Sequence, residues 1–133
     1  MTPLNPRNIN IQPLKKALTS LERAIQQPLN EFNRDSVIQR FEFTFELCWK
    51  AMQKILEADR PLEDLSVKGI LREAAKKNLI SNLELWFKFQ ESRNLTSHTY
   101  NEITAEEVYK TAVQLPNEAH YVLTQLEKKI KGI

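Results

Sequence analysis

Glycine is nearly missing from this chain: Gly69 and Gly132 are the only two among 133 residues. Glycine-rich phosphate loops therefore cannot be built, neither a Walker loop nor a dinucleotide fingerprint. A turn-rich all-β fold is disfavoured for the same reason. The single cysteine, Cys48, excludes an internal disulfide and a multi-cysteine metal site. It lies between Leu47 and Trp49 in an apolar stretch, where a buried, inert thiol is expected. There are two histidines, His98 and His120. A metal bound by both would need further ligands that the sequence does not offer, so no metal and no cofactor is expected. An excess of one charge is also lacking, with 19 basic against 17 acidic residues and a net charge of +2. Bulk charge does not advertise nucleic-acid binding, so such a site must be local or assembled by oligomerisation. Finally, there is no signal peptide and no long apolar span, which leads us to expect a cytoplasmic protein with no membrane partner.

What is present is helical periodicity. The length suits one domain, and the hydrophobic and charged fractions, 41% and 27%, are ordinary for a globular chain. Residues 1–10 carry Pro3, Pro6 and three asparagines and read as an irregular arm. Residues 11–133 read as one helical-bundle domain. Pro13 suits a first helical turn, and Leu14, Leu18, Leu21 and Ile25 follow at helical spacing until Pro28. Asn33 or Asp35 is a possible cap for a second, long helix. Its stripe is Ile38, Phe41, Phe45, Cys48, Met52 and Ile55, widened by Val37, Phe43, Leu47, Trp49 and Leu56. A helix this apolar is central to its bundle or also packs on a partner. Ser66 caps a short third helix, and Asn78 is a plausible left-handed stop. Ser81-Asn82-Leu83-Glu84 and Thr104-Ala105-Glu106-Glu107 read as capping boxes opening the fourth and last helices. Pro116 should kink or split the last one. The expectation is an all-α antiparallel bundle of about five helices.

One stretch has chemical character: Arg93-Asn94-Leu95-Thr96-Ser97-His98-Thr99-Tyr100. Arginine offers phosphate oxygens a permanently charged planar fork. Histidine both takes and gives a proton near neutral pH. On a continued helix, Arg93 and Tyr100 share a face and His98 lies roughly 140° away. One chain then does not complete a compact site, whereas two copies across a dimer axis bring two arginines and two histidines together. On composition and spacing alone the plainer reading leads. Arg93 compensates a helix C-terminus, and His98 and Tyr100 are packing groups.

Other constellations are weaker. Glu42, Glu46 and Lys50 form an i, i+4, i+8 row. It reads as a solvated stripe, or, with Arg40, as a crevice in which Arg40 and Glu46 orient Arg93 and His98. A metal on Glu42 and Glu46 lacks partner ligands. His120 reads as a surface or core residue, and Trp86, Phe87 and Phe89 as core rather than base-stacking groups.

The spacing Arg93-x4-His98-x-Tyr100 matches the RX4HXY motif of HepT-type proteins of the HEPN superfamily. The run from Arg40 to Lys50 resembles the long-helix signature of the branch described as nucleotidyltransferase substrate-binding proteins. Arg72-Glu73-Ala74-Ala75, Asn78-Leu79-Ile80 and Trp86 follow in that branch's order, and the resemblance spans roughly Leu14 to Lys129. It implies an antiparallel helical bundle that forms a homodimer or higher oligomer. It also implies an MNT-type nucleotidyltransferase partner acting as antitoxin, and RNA as the substrate of a metal-independent endoribonuclease toxin. By the same resemblance Arg93 and His98 would be catalytic. Tyr100 would be the AMPylated regulatory residue, and Asn94 and Ser97 would hydrogen-bond phosphate. Arg40, Glu42 and Glu46 would be supporting groups. The alternative is a non-catalytic substrate-binding subunit of a two-component nucleotidyltransferase, and a third possibility is a helical adaptor without chemistry.

Overall fold

The computed structural model describes residues 8–132, and the expected arm up to Arg7 lies outside them. Among the described residues six α-helices follow one another: α1 (Gln12–Ile25), α2 (Glu31–Asp59), α3 (Val67–Lys76), α4 (Leu83–Asn94), α5 (Glu102–Ala112) and α6 (Leu115–Ile130). A 3-10 turn, Thr96–His98, sits between α4 and α5. The fold is all-helical, as the periodicities require, and no strand occurs among the described residues. The sixth helix arises where Pro116 splits the expected last helix: α5 stops at Ala112, and Pro116 enters the first turn of α6. There its missing amide costs no hydrogen bond.

Local chemistry sets the boundaries, in places by different residues than expected. Asn30 caps α2 by accepting from the Asn33 amide at 2.8 Å. Asn33 and Asp35 are not caps but lie inside the first turns. The Asn33 side chain instead donates back to the Pro28 carbonyl, which fixes the corner after α1. Asn82, not Ser81, caps α4 by accepting from Leu85 N. Asn101 opens α5 by accepting from both Ile103 N and Thr104 N, so Thr104 is already helical. In each case an asparagine amide reaches the first free N–H groups as well as a hydroxyl does. Ser66 does cap α3, through Gly69 N at 3.0 Å. α3 ends in a left-handed residue, Asn78, with φ 60°. Leu79 N then donates to Ala74 O and Asn78 N to Ala75 O, the paired bonds of a Schellman end.

The long helix α2 is the axle, packing against α1, α3, α4, α5 and α6. α1 and α6 run antiparallel, tied by Lys15–Glu127 (3.0 Å) near one end and Glu22–His120 (3.1 Å) near the other. The centre is aromatic. Phe41 and Phe45 of α2 meet Trp86 and Phe89 of α4, with ring centroids 5.1 to 6.3 Å apart in stacked, tilted and edge-on pairs. All four side chains are fully buried, each contributing about 1.5–3 kcal/mol from burial. Trp86 and Phe89 are thus core. Cys48 is buried too, and loss of hydration pushes its thiol pKa far up. Ile9 and Ile11, ahead of α1, join the same core.

Candidate functional site

Four residues on α2 recur at intervals of four: Arg34, Ile38, Glu42 and Glu46. Such a row forms one continuous ridge along a helix. The two flanks of the Arg93–Tyr100 stretch are docked against it. Glu46 Oε1 accepts a 2.6 Å hydrogen bond from Arg93 Nε, and Glu42 Oε1 lies 3.6 Å from Arg93 Nη2. Ile38 packs with Ala105 and Val108 in a small cluster separate from the main core. Arg34 binds Glu102, the first residue of α5, through Nη1–Oε2 at 2.7 Å and Nη2–Oε1 at 3.2 Å. The ridge thereby fixes the end of α4 and the start of α5.

Between these two ion pairs the chain turns. Thr96 Oγ1 donates to Arg93 O, and Thr99 Oγ1 donates to Thr96 O. His98 N donates to Leu95 O and Asn101 N to His98 O. These short-range bonds hold a tight turn without a glycine. It carries His98 and Tyr100 outward: both are exposed, Tyr100 to 85%. Their rings lie edge-on, 6.1 Å between centroids. Asn94 and Ser97 are also exposed. Arg93 is half-buried, and its one side-chain hydrogen bond to the described residues uses Nε. Its terminal nitrogens, the geometry that grips phosphate, remain able to donate.

Of the sequence candidates, the structure brings together Arg93, Glu42 and Glu46, and it pairs His98 with Tyr100. Arg40 lies elsewhere. Its Nε donates to Ser20 Oγ at 2.9 Å and its Nη1 to Ser36, so it ties α1 to α2 and does not orient Arg93. Lys50 is exposed, 3.9 Å from Glu46 and over the Trp49 ring. His120 is exposed and paired with Glu22, between α6 and α1. Among the described residues no three His, Cys, Asp or Glu side chains gather to hold a metal. Sequence reading missed Arg34 and Glu102. Arg34 shares the i+4 row with Glu42 and Glu46, which was the available signal; Glu102 had none.

This is an all-helical protein that holds an Arg-x4-His-x-Tyr motif on the ridge of its longest helix. Residues 9–128 match the family described as nucleotidyltransferase substrate binding protein like, and the chain belongs to that HepT-like family. It is 32% identical over 137 residues to a Haemophilus influenzae protein named probable ribonuclease HepT, covering 91% of this chain and 94% of that one. A solved Haemophilus influenzae structure, described as the fold of a substrate binding domain of a nucleotidyltransferase, superposes with a TM-score of 0.80. It is 32% identical, covering 89% of this chain and 99% of that one. A crystal structure from Thermus thermophilus gives a TM-score of 0.77 at 35% identity, covering 85% of this chain and 98% of that one.

Proposed function

We propose that this chain is a metal-independent RNA-cleaving toxin whose activity a partner nucleotidyltransferase silences by AMPylating Tyr100. The observation that carries the reading is the exposed His98–Tyr100 ring pair on a turn anchored by Arg93. In the cleavage step a His98 imidazole takes the proton of a ribose 2′-hydroxyl. The 2′-oxygen attacks the adjacent phosphorus, and the 5′-oxygen leaves with a proton from a second imidazole that enters the step protonated. The products are a cyclic phosphate and a free 5′-hydroxyl. Arg93 donates to the phosphoryl oxygens as charge builds on them. Two imidazoles imply a dimer. In support of one, apolar side chains stand exposed in and next to the motif: Leu95 and Tyr100 within it and Ile103 just beyond. In the silencing step the Tyr100 oxygen attacks the α-phosphorus of ATP. Pyrophosphate leaves and the phenol proton passes to solvent or a partner base. The added phosphate then offsets Arg93, and the adenosine covers His98.

A second reading, a non-catalytic subunit that presents substrate to the nucleotidyltransferase, is favoured by one fact. The Arg93 charge is already met by two carboxylates, Glu46 and Glu42. Expression without the partner separates the two readings. Growth arrest with RNA decay, abolished by His98→Ala and by Arg93→Ala, is expected for the toxin. Normal growth with wild type and both variants overturns it and leaves the binding subunit. For the modification, partner plus ATP should add the mass of AMP to wild type and not to Tyr100→Phe.

A further inference from the structure

Arg34 makes the second of the two ion pairs that bracket the motif turn. Its side chain is only 11% exposed, although it sits near the start of α2. It presents a fork to both Glu102 oxygens. Its Nε and Nη2 also reach Asp35 Oδ1, each at 3.2 Å. Asp35 adjoins it on the same helix, so that contact positions nothing further. The Glu102 contact spans 68 residues and lands two residues after Tyr100. Besides this fork, α5 is held by the small cluster of Ile38, Ala105 and Val108, by its packing on α4 and the 96–98 turn, and by Ala112 in the main core. Glu102 lies between Asn101 and the two amides that Asn101 caps, Ile103 N and Thr104 N, so the fork lands within that cap. A charge-assisted fork of this kind, sheltered at Arg34 and open at Glu102, adds to the free energy of local opening.

We propose that Arg34 is a positioning residue: by clamping Glu102 it fixes the His98–Tyr100 turn in the conformation that presents Tyr100 for modification. This rests on Tyr100 being the modified residue, but the clamp has a signature independent of that reading. In Arg34→Gln, hydrogen exchange at His98 N and Asn101 N should quicken about twofold, while core amides of α1 and α6 keep their rates. Glu102→Gln should do the same, and the double variant no more than either single. Arg34→Lys, which keeps the charge and loses the fork, should fall between. With partner and ATP, Arg34→Gln should take up AMP at Tyr100 about twofold more slowly, with an unchanged thermal midpoint for the core. Unchanged exchange at His98 and Asn101, or additive effects in the double variant, overturns the clamp. Faster exchange with undiminished AMP transfer overturns its role in presentation. Equal labelling of wild type and Tyr100→Phe would instead remove the modification reading, leaving the exchange result to judge the clamp alone.

Discussion

Replacing Glu46 by Gln should unpin Arg93, and the size of the effect follows from the geometry. The contact is short, 2.6 Å from Arg93 Nε to Glu46 Oε1, and the two side chains are 35% and 27% exposed. With charge centres about 4 Å apart and an effective dielectric between about 20 and 80, Coulomb attraction amounts to roughly 1–4 kcal/mol. Partial exposure and the entropy of holding two long side chains reduce it towards the 0.2–1 kcal/mol measured for open pairs. About 1 kcal/mol of coupling is therefore expected. Urea unfolding of wild type, Glu46→Gln, Arg93→Gln and the double variant closes the cycle at fixed pH and salt. Glu42, at 3.6 Å, is able to take over part of the role, so the cycle is repeated in a Glu42→Gln background, where the coupling should rise. Coupling below about 0.3 kcal/mol in both backgrounds would refute the idea that Glu46 holds Arg93. Arg93→Lys should show weaker coupling to Glu46, because a lysine has no side nitrogen for that carboxylate to hold.

Other perturbations have separate signatures. Phe89→Ala empties the centre of the aromatic cluster and should cost about 3–5 kcal/mol in chemical denaturation; a loss under about 1.5 kcal/mol would mean that the core collapses around it. Asn30→Ala removes the α2 cap and should cost about 1 kcal/mol, with no loss contradicting that assignment. Arg34 and Arg60 hold the Glu102 and Glu73 carboxyls below their usual range. Folded pKa values below the unfolded ones mean that this stabilisation is complete above the ordinary glutamate pKa. It is lost as pH falls through the depressed values. Acid unfolding of the Glu73→Gln/Glu102→Gln variant should accordingly be less steep than that of wild type, and an identical slope would exclude both pairs. Cys48 should resist thiol reagents in the native state and react fully in denaturant; fast native labelling would contradict its burial.

The elements were largely legible, because α1 and α2 repeat apolar residues at helical spacing and Ser66, Asn78 and Pro116 act locally. The caps were misread where several competent residues stand together. Asn30, Asn33 and Asp35 all suit a helix start, and the corner bond from Asn33 to Pro28 O selects Asn30. Ser81 and Thr104 fit a capping pattern, yet asparagines one and three residues away make the bonds. In the site, the contact of Glu46 with Arg93 was readable, but the place of Arg40 was not. Arg40 and Glu46 are six residues apart, roughly 120° around the helix axis, so they cannot serve one crevice. Arg40 therefore turns to α1 while Glu46 turns to α4. Ordering the α2 residues by angle rather than by charge would have separated them.

The ridge on α2 also bears on the order in which the molecule is made. The eight residues from Arg93 to Tyr100 are contiguous, but the bonds that shape them reach back 47 residues to Glu46 and link positions 68 apart at Arg34 and Glu102. Contacts of such sequence separation close late, after local helices have formed. During synthesis the ridge emerges first and waits, and the motif leaves the ribosome before Glu102 has been placed against it. A nascent or truncated chain therefore carries every letter of the motif, and the local bonds of its turn, before that turn is docked on the ridge. Completion of the chain is what seats the motif, once the start of α5 has found the start of α2.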